Sequence, residues 1–344
     1  MNFASDNTAG VAPEIMAALL RANEGYALGY GNDDITRRVE KKFAELFERD
    51  VAVFLVPTGT GANALALAHV TPPWGAVLCH ENAHIAVDEC GAPEFFGGGI
   101  KLIDLPGDAG KIAPQTLRTA LEKASSWGPP HHVTPAAVSI SQASEAGTIY
   151  RTHDLRALAD IAHAHNTVLH MDGARFGNAL VRLNVSAADM TWKAGVDVLS
   201  FGATKGGAMG AEAVIFFDPK RAEGMSARRK RGGALASKHR FIAAQFDAFL
   251  EDDLWLRLAR HANAMADRLS DGLTQAGYAP QWPVEANEVF AALPIALCDK
   301  LQAAGAAFYR WDADAKGNVV VRLVTSFATT AEEVERFVAM VGKA

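Results

Sequence analysis

Seven short apolar runs mark the first two thirds of the chain: Val51–Val56, Ala76–Leu78, Ile100–Leu105, Ala136–Ile140, Val168–Met171, Val196–Phe201 and Ala213–Phe217. Each is too short for a buried helix, and helical patterns separate several of them. One such pattern starts at Thr36, where Val39, Phe43, Leu46 and Phe47 share a face and Arg37, Glu40, Lys41 and Lys42 lie between them. Strands that are apolar on both sides need a helical cover on both sides. The expectation is therefore an α/β fold whose large domain holds a mostly parallel seven-stranded sheet. After Leu250 the pattern changes: Glu251-Asp252-Asp253 leads into a long helical stretch, strands at Val289–Leu293 and Val319–Val324, and a closing helix from Thr330. That order predicts a large domain over residues 1–250 and a smaller C-terminal α+β domain over 251–344.

Composition narrows the partners. Of 344 residues, 49% are hydrophobic and 21% charged, as in an ordinary globular protein. A formal net charge of -6 gives no overall field to attract nucleic acid or an anionic membrane. The run Arg228-Arg229-Lys230-Arg231 has no wider basic surface around it, so it reads as a solvated face or an anion clamp. Cys79, Cys90 and Cys298 include no close pair, which argues for a reducing compartment. The opening residues do not run from a basic segment into an apolar one, and no apolar run is long enough for a bilayer. The expected location is the cytoplasm.

Three fixtures carry the chemistry. Thr58-Gly59-Thr60-Gly61 follows a buried strand and starts an alanine-rich helix, where free N–H groups and the helix dipole favour a phosphate. Asp172, in Leu169-His170-Met171-Asp172-Gly173-Ala174-Arg175, ends another strand, the side on which open α/β sheets bind ligands. Lys205, in Gly202-Ala203-Thr204-Lys205-Gly206-Gly207, follows a later strand among small residues that allow its amine to lose water. Singly, these are a tight turn, a helix cap and a loop lysine. Together they are what pyridoxal 5'-phosphate requires: a cradle, an acid for the ring nitrogen and an amine for the aldehyde. His84 stands beyond an earlier strand, positioned to lie on one face of the ring. A rival reading takes His80-Glu81-Asn82-Ala83-His84 as the zinc-hydrolase pattern, although it abuts a strand and shows no third ligand.

Nearly end to end, the chain resembles an L-threonine aldolase of the aspartate-aminotransferase fold group. The matching motifs are Ser5-Asp6, Tyr30-Gly31, Pro57-Thr58-Gly59-Thr60, Ala83-His84 with Glu89, His170 to Arg175, Thr204-Lys205-Gly206 and Val321-Arg322-Leu323-Val324-Thr325. The resemblance implies that Gly59 and Thr60 bind phosphate, His84 stacks on the ring, Asp172 pairs with its nitrogen and Lys205 forms the internal imine. Arg175 would hold the ring hydroxyl side and, with Ser5 and Arg322, grip the substrate carboxylate. Tyr30 would close over the substrate, and Lys230 would reach a neighbouring subunit's phosphate. The activity implied is retro-aldol cleavage of threonine, allo-threonine or phenylserine to glycine and an aldehyde, by a homodimer or homotetramer with sites at the subunit interface. Elimination, racemization and transamination share the same fixtures and remain open.

Two departures bear on the site. Many relatives have Asn-Thr-His-Asn before a glycine, whereas Ala143-Ser144-Glu145-Ala146 precedes Gly147 here. Glu145 stands in the histidine's place, leaving the base and the threo or erythro preference open. Tyr30-Gly31-Asn32-Asp33-Asp34 has one extra residue in the loop over the substrate.

Overall fold

The computed structural model describes residues 1–125, 130–313 and 317–342. The seven expected strands are present as β1 (Ala52–Val56), β2 (Gly75–His80), β3 (Lys101–Leu105), β4 (Thr134–Ser141), β5 (Val168–Gly173), β6 (Val198–Gly202) and β7 (Glu212–Phe216). They form one sheet in the order β1-β7-β6-β5-β4-β2-β3. The pairs from β6 to β3 are parallel, and β7 is antiparallel to both β6 and β1. Every residue of β2, β5, β6 and β7 is buried, which explains why these runs lack alternation.

The two sheet faces are covered differently. On one, Phe43, Phe47, Phe176, Phe201 and Phe246 are fully buried, with Phe43 centred 5.4 Å from Phe201 and 5.3 Å from Phe246 in edge contacts. The amphipathic helix supplying Phe43 spans Asp34–Leu46, and the Asp33 carboxylate caps it by accepting from Thr36 N at 2.8 Å. On the other face lies the Gly59–Val70 helix, buried continuously from Ala62 to Ala68. A helix so covered must be apolar all round, so the Asn63 within it calls for a partner.

The smaller C-terminal sheet has the order β8-β10-β9, with β8 at Glu288–Pro294, β9 at Tyr309–Ala313 and β10 at Asn318–Val324. β9 is an addition to the expected pair of strands; it is an edge strand with Tyr309 and Trp311 exposed, so its pattern lacks a buried apolar run. The Leu254–Gln275 helix spans both cores, with Trp255 in the larger and Leu269 in the smaller. The N-terminal arm also bridges them. Phe3 is buried in the smaller core, its N–H bonds Ala307 O at 2.8 Å, and Val324 N bonds Phe3 O at 2.8 Å. Farther along, Ala12 N bonds Gly207 O at 2.9 Å, two residues beyond Lys205.

Candidate active site

The carboxyl ends of the central strands converge. Asp172 registers against Ser141 of β4 and Ser200 of β6, placing three polar side chains on one sheet face. Asp172 is buried; its Oδ1 accepts from Ala174 N at 2.9 Å and its Oδ2 from Asn63 Nδ2 at 2.8 Å. The Asn63 amide also donates to Glu89 Oε1 at 2.9 Å, and that oxygen lies 2.9 Å from His84 Nδ1. A hydrogen-bonded chain thus links Asp172 to His84 through Asn63 and Glu89. The bond to Glu89 raises the pKa of His84, and the ring remains partly open to solvent. His170, beneath Asp172 on the same strand, bonds Ser139 and Ser200 through its two ring nitrogens at 2.9 Å each. Burial depresses its pKa to about 4, so it stays neutral at physiological pH.

Lys205 lies half-buried in the turn after β6. Gly202 permits the approach of this strand end to the acid-bearing turn: a Cβ there would stand 2.8 Å from the Cα of Ala174. The charge of Lys205 acts on Asp6, His84, Glu212 and Glu288, which places it electrostatically among the residues of the cluster.

The cradle is a helix start. Thr58 caps it by accepting from Gly61 N at 3.1 Å, and Ala62 N bonds Thr58 O at 3.0 Å, leaving the N–H groups of Gly59 and Thr60 outside the helical ladder. A Cβ on Gly59 would meet nothing within 4 Å, so space is open in front of the helix. An anion-receiving helix end, a buried acid and a half-buried lysine fit pyridoxal phosphate in chemistry.

Glu145 sits against His84. Its Oε1 accepts from Ser141 Oγ at 2.7 Å and from the His84 backbone N–H at 2.9 Å, while its Oε2 is buried with no hydrogen-bond partner. Burial pushes its carboxyl up to about 7, against the downward pull of those two bonds.

Arg175 lies at the start of the Phe176–Leu183 helix and is largely, though not fully, buried, its side chain 11% exposed. Its Nε and Nη2 donate to Asp6 at 2.8 and 3.1 Å, and its Nη1 lies 3.2 Å from Glu288 Oε2. Burial works against the cation, but Asp6 and Glu288 outweigh it and raise the arginine's pKa. Arg322, on β10, places its guanidinium 5.4 Å from the Tyr309 ring centre and leaves its Nε buried without a partner. Ser5 caps the short turn Asp6–Thr8 by accepting from Asn7 N at 3.2 Å. Tyr30 and Lys230 meet each other, the ammonium standing 4.5 Å from the ring centre, and Tyr30 N bonds Ser237 O at 3.0 Å.

The zinc pattern comes apart in three dimensions. His80 ends β2, whereas His84 opens the short helix His84–Val87, so the pair does not share a helix face. His80 Nε2 is 3.1 Å from Gly107 O and its Nδ1 accepts from Asn82 N at 3.0 Å, which occupies both ring nitrogens. His84 instead joins the Asp172 network.

Asn63, Asp6, Glu288 and Glu212 belong to this cluster but were not assigned roles from sequence. One amide inside an alanine-rich buried helix was a usable signal for Asn63. Asp6 was visible within the Ser5-Asp6 motif, yet its partner is 169 positions away.

A central parallel sheet, a smaller C-terminal sheet and a strand-end cluster define the aspartate-aminotransferase type of fold. Aspartate aminotransferase from Thermus thermophilus superposes with a TM-score of 0.72 at 16% identity, covering 99% of this chain and 91% of that one. The beta-eliminating lyase model matches residues 2–296. A low specificity L-threonine aldolase from Pseudomonas aeruginosa is 43% identical over 333 residues, covering 96% of this chain and 94% of its own. The threonine aldolase structure from Leishmania major superposes with a TM-score of 0.94 at 30% identity, covering 99% and 98%. The chain belongs to the beta-eliminating lyase family and, within it, to the L-threonine aldolases.

Proposed function

We propose that this chain uses pyridoxal 5'-phosphate to cleave L-threonine, L-allo-threonine and related β-hydroxy-α-amino acids to glycine and an aldehyde. The observation that carries the reading is the convergence of Asp172, the Lys205 turn and the open helix start at Gly59 on one end of the sheet. Bound there, pyridoxal phosphate supplies a π-system able to accept the electron pair of a breaking Cα–Cβ bond.

The residues of the chain do the rest. Gly59 and Thr60 would hold phosphate with N–H groups the helix leaves free, and Asp172 would keep the ring nitrogen protonated. Lys205 would hold the aldehyde carbon until the substrate amine replaces it, and His84 would cover one ring face. Arg175 and Arg322, with Ser5, would fix the substrate carboxylate and so choose which bond stands perpendicular to the ring. Glu145 would take the hydroxyl proton on its unpartnered Oε2, since a carboxyl poised near neutral pH both accepts and returns a proton.

The same reading includes a cytoplasmic homodimer or homotetramer with sites at subunit interfaces, where Lys230 of a neighbouring copy reaches the phosphate and Tyr30 covers the substrate. Support comes from the exposed Leu28, Tyr30 and Met209 on the loops around Tyr30 and Lys205. Among the described residues, no helix is long and apolar enough to cross a membrane.

Borohydride reduction followed by peptide mass spectrometry should locate the cofactor on Lys205. Threonine, allo-threonine and phenylserine should each yield glycine and the matching aldehyde. Formation of pyruvate or a new amino acid without glycine would overturn the aldolase reading.

A further inference from the structure

We infer that Asp6 is a positioning residue: carried in by the N-terminal arm, it fixes the Arg175 guanidinium so that its opposite edge receives the substrate carboxylate. The inference rests on the carboxylate-binding role proposed for Arg175 and adds the device that aims it.

The geometry divides the guanidinium into two working edges. Asp6 takes the edge made by Nε and Nη2 with bonds of 2.8 and 3.1 Å, the two-point arrangement that fixes the plane as well as the position of an arginine. Nη1 points elsewhere, toward Glu288 Oε2 at 3.2 Å, an oxygen that is buried and has no aligned hydrogen bond. Arg175 touches Glu288, and Arg322 and Lys205 also stabilise its charge, so the carboxyl stands within electrostatic reach of three cations. An incoming carboxylate has the most to gain there. Glu288, which burial already pushes toward its neutral form, is the group that gives way.

Asp6 is itself held firmly. Its side chain is buried, and its Oδ2 accepts a second bond from Asn287 Nδ2 at 3.1 Å. The arm bearing it is tied at one end to Val324 of β10 and at the other to Gly207, beside Lys205. A single segment therefore connects the strand of Arg322, the edge of Arg175 and the lysine turn. A stability role alone would need only the ion pair, not the selective use of one edge.

The test compares glycine with glycinamide, which lacks the carboxylate, by calorimetric titration of the cofactor-loaded full-length protein. Wild type should prefer glycine by about tenfold or more, and Asp6→Asn should weaken glycine by about tenfold while leaving glycinamide within about twofold. Asp6→Glu, which keeps the charge one methylene farther out, should lose less and serves where the asparagine variant does not fold. Equal weakening of both ligands, or an unchanged preference for glycine in the variants, overturns the positioning role alone. Equal affinity of wild type for the two ligands overturns the carboxylate reading of Arg175 and the positioning role with it.

Discussion

The two halves of the site are built by different means. On the side proposed to hold the cofactor ring, Asp172 and its neighbours Ser141 and Ser200 stand on hydrogen-bonded strands, and Asn63 braces the acid from a buried helix. On the side proposed to receive the substrate carboxylate, Asp6, Arg175, Glu288 and Arg322 come from an arm, a turn and the paired strands β8 and β10 of a second sheet. The first half inherits the rigidity of the sheet core. The second depends on the arm and the smaller sheet, so under the proposed reading substrate choice can change there without disturbing the fixtures beneath.

Removing Lys205 should produce the largest effect. Lys205→Ala should lower turnover by at least about a thousandfold, roughly 4 kcal/mol in transition-state free energy, and abolish the borohydride-trapped adduct. Turnover within about tenfold of wild type would mean that the ring half is misassigned. The next effect separates the halves. Arg322→Ala should lower kcat/KM about a hundredfold, near 3 kcal/mol, while cofactor retention in dialysis changes by less than about threefold. Parallel loss of both would show that the halves are one mechanical unit.

Glu145 lies between them, and its effect should be smaller and dependent on pH. To take a proton it must be ionised, and burial holds its pKa near 7, so activity should rise as pH increases through about 7. Glu145→Gln should lower kcat about tenfold to a hundredfold and flatten that rise. A variant that keeps the wild-type profile would assign the proton to another group, with His84 the first to consider.

These differences also explain what could be read from the sequence. The seven strands were legible because burial on both faces leaves an uninterrupted apolar signal, and Asp172 and Lys205 were legible because each sits at a strand end in a short motif. The Asn63–Glu89 link was not, since it depends on a helix crossing the strand ends. Nor was the Asp6–Arg175 pair, which joins residues 169 positions apart. Glu145 shows the intermediate situation: its place in the motif was apparent, but its unpartnered oxygen required the fold. β9 was missed because an edge strand with exposed aromatics carries no buried stripe.

Glu212 offers the finest comparison, because burial pushes its carboxyl up to about 7, as it does for Glu145, at the start of a different strand. It starts β7 opposite Gly202, and the Thr204 side chain hydrogen-bonds to it, which lowers the pKa less than burial raises it. A carboxyl whose folded pKa exceeds its unfolded value stabilises the fold below the unfolded pKa, and that contribution is lost as pH rises through the folded one. For Glu212 the loss falls between about 4.5 and about 7. Glu212→Gln should therefore gain in Tm relative to wild type on going from about pH 5 to about pH 8, by about 1–2 °C for each kcal/mol relieved. Its kcat should stay within about threefold if this acid supports the Thr204–Lys205 turn without touching the reacting atoms. Thermal unfolding at the two pH values tests the first expectation and steady-state kinetics the second. A collapse of kcat with no change in the Tm difference would make Glu212 a direct partner of Lys205, moving it from the supporting wall into the reacting half of the site.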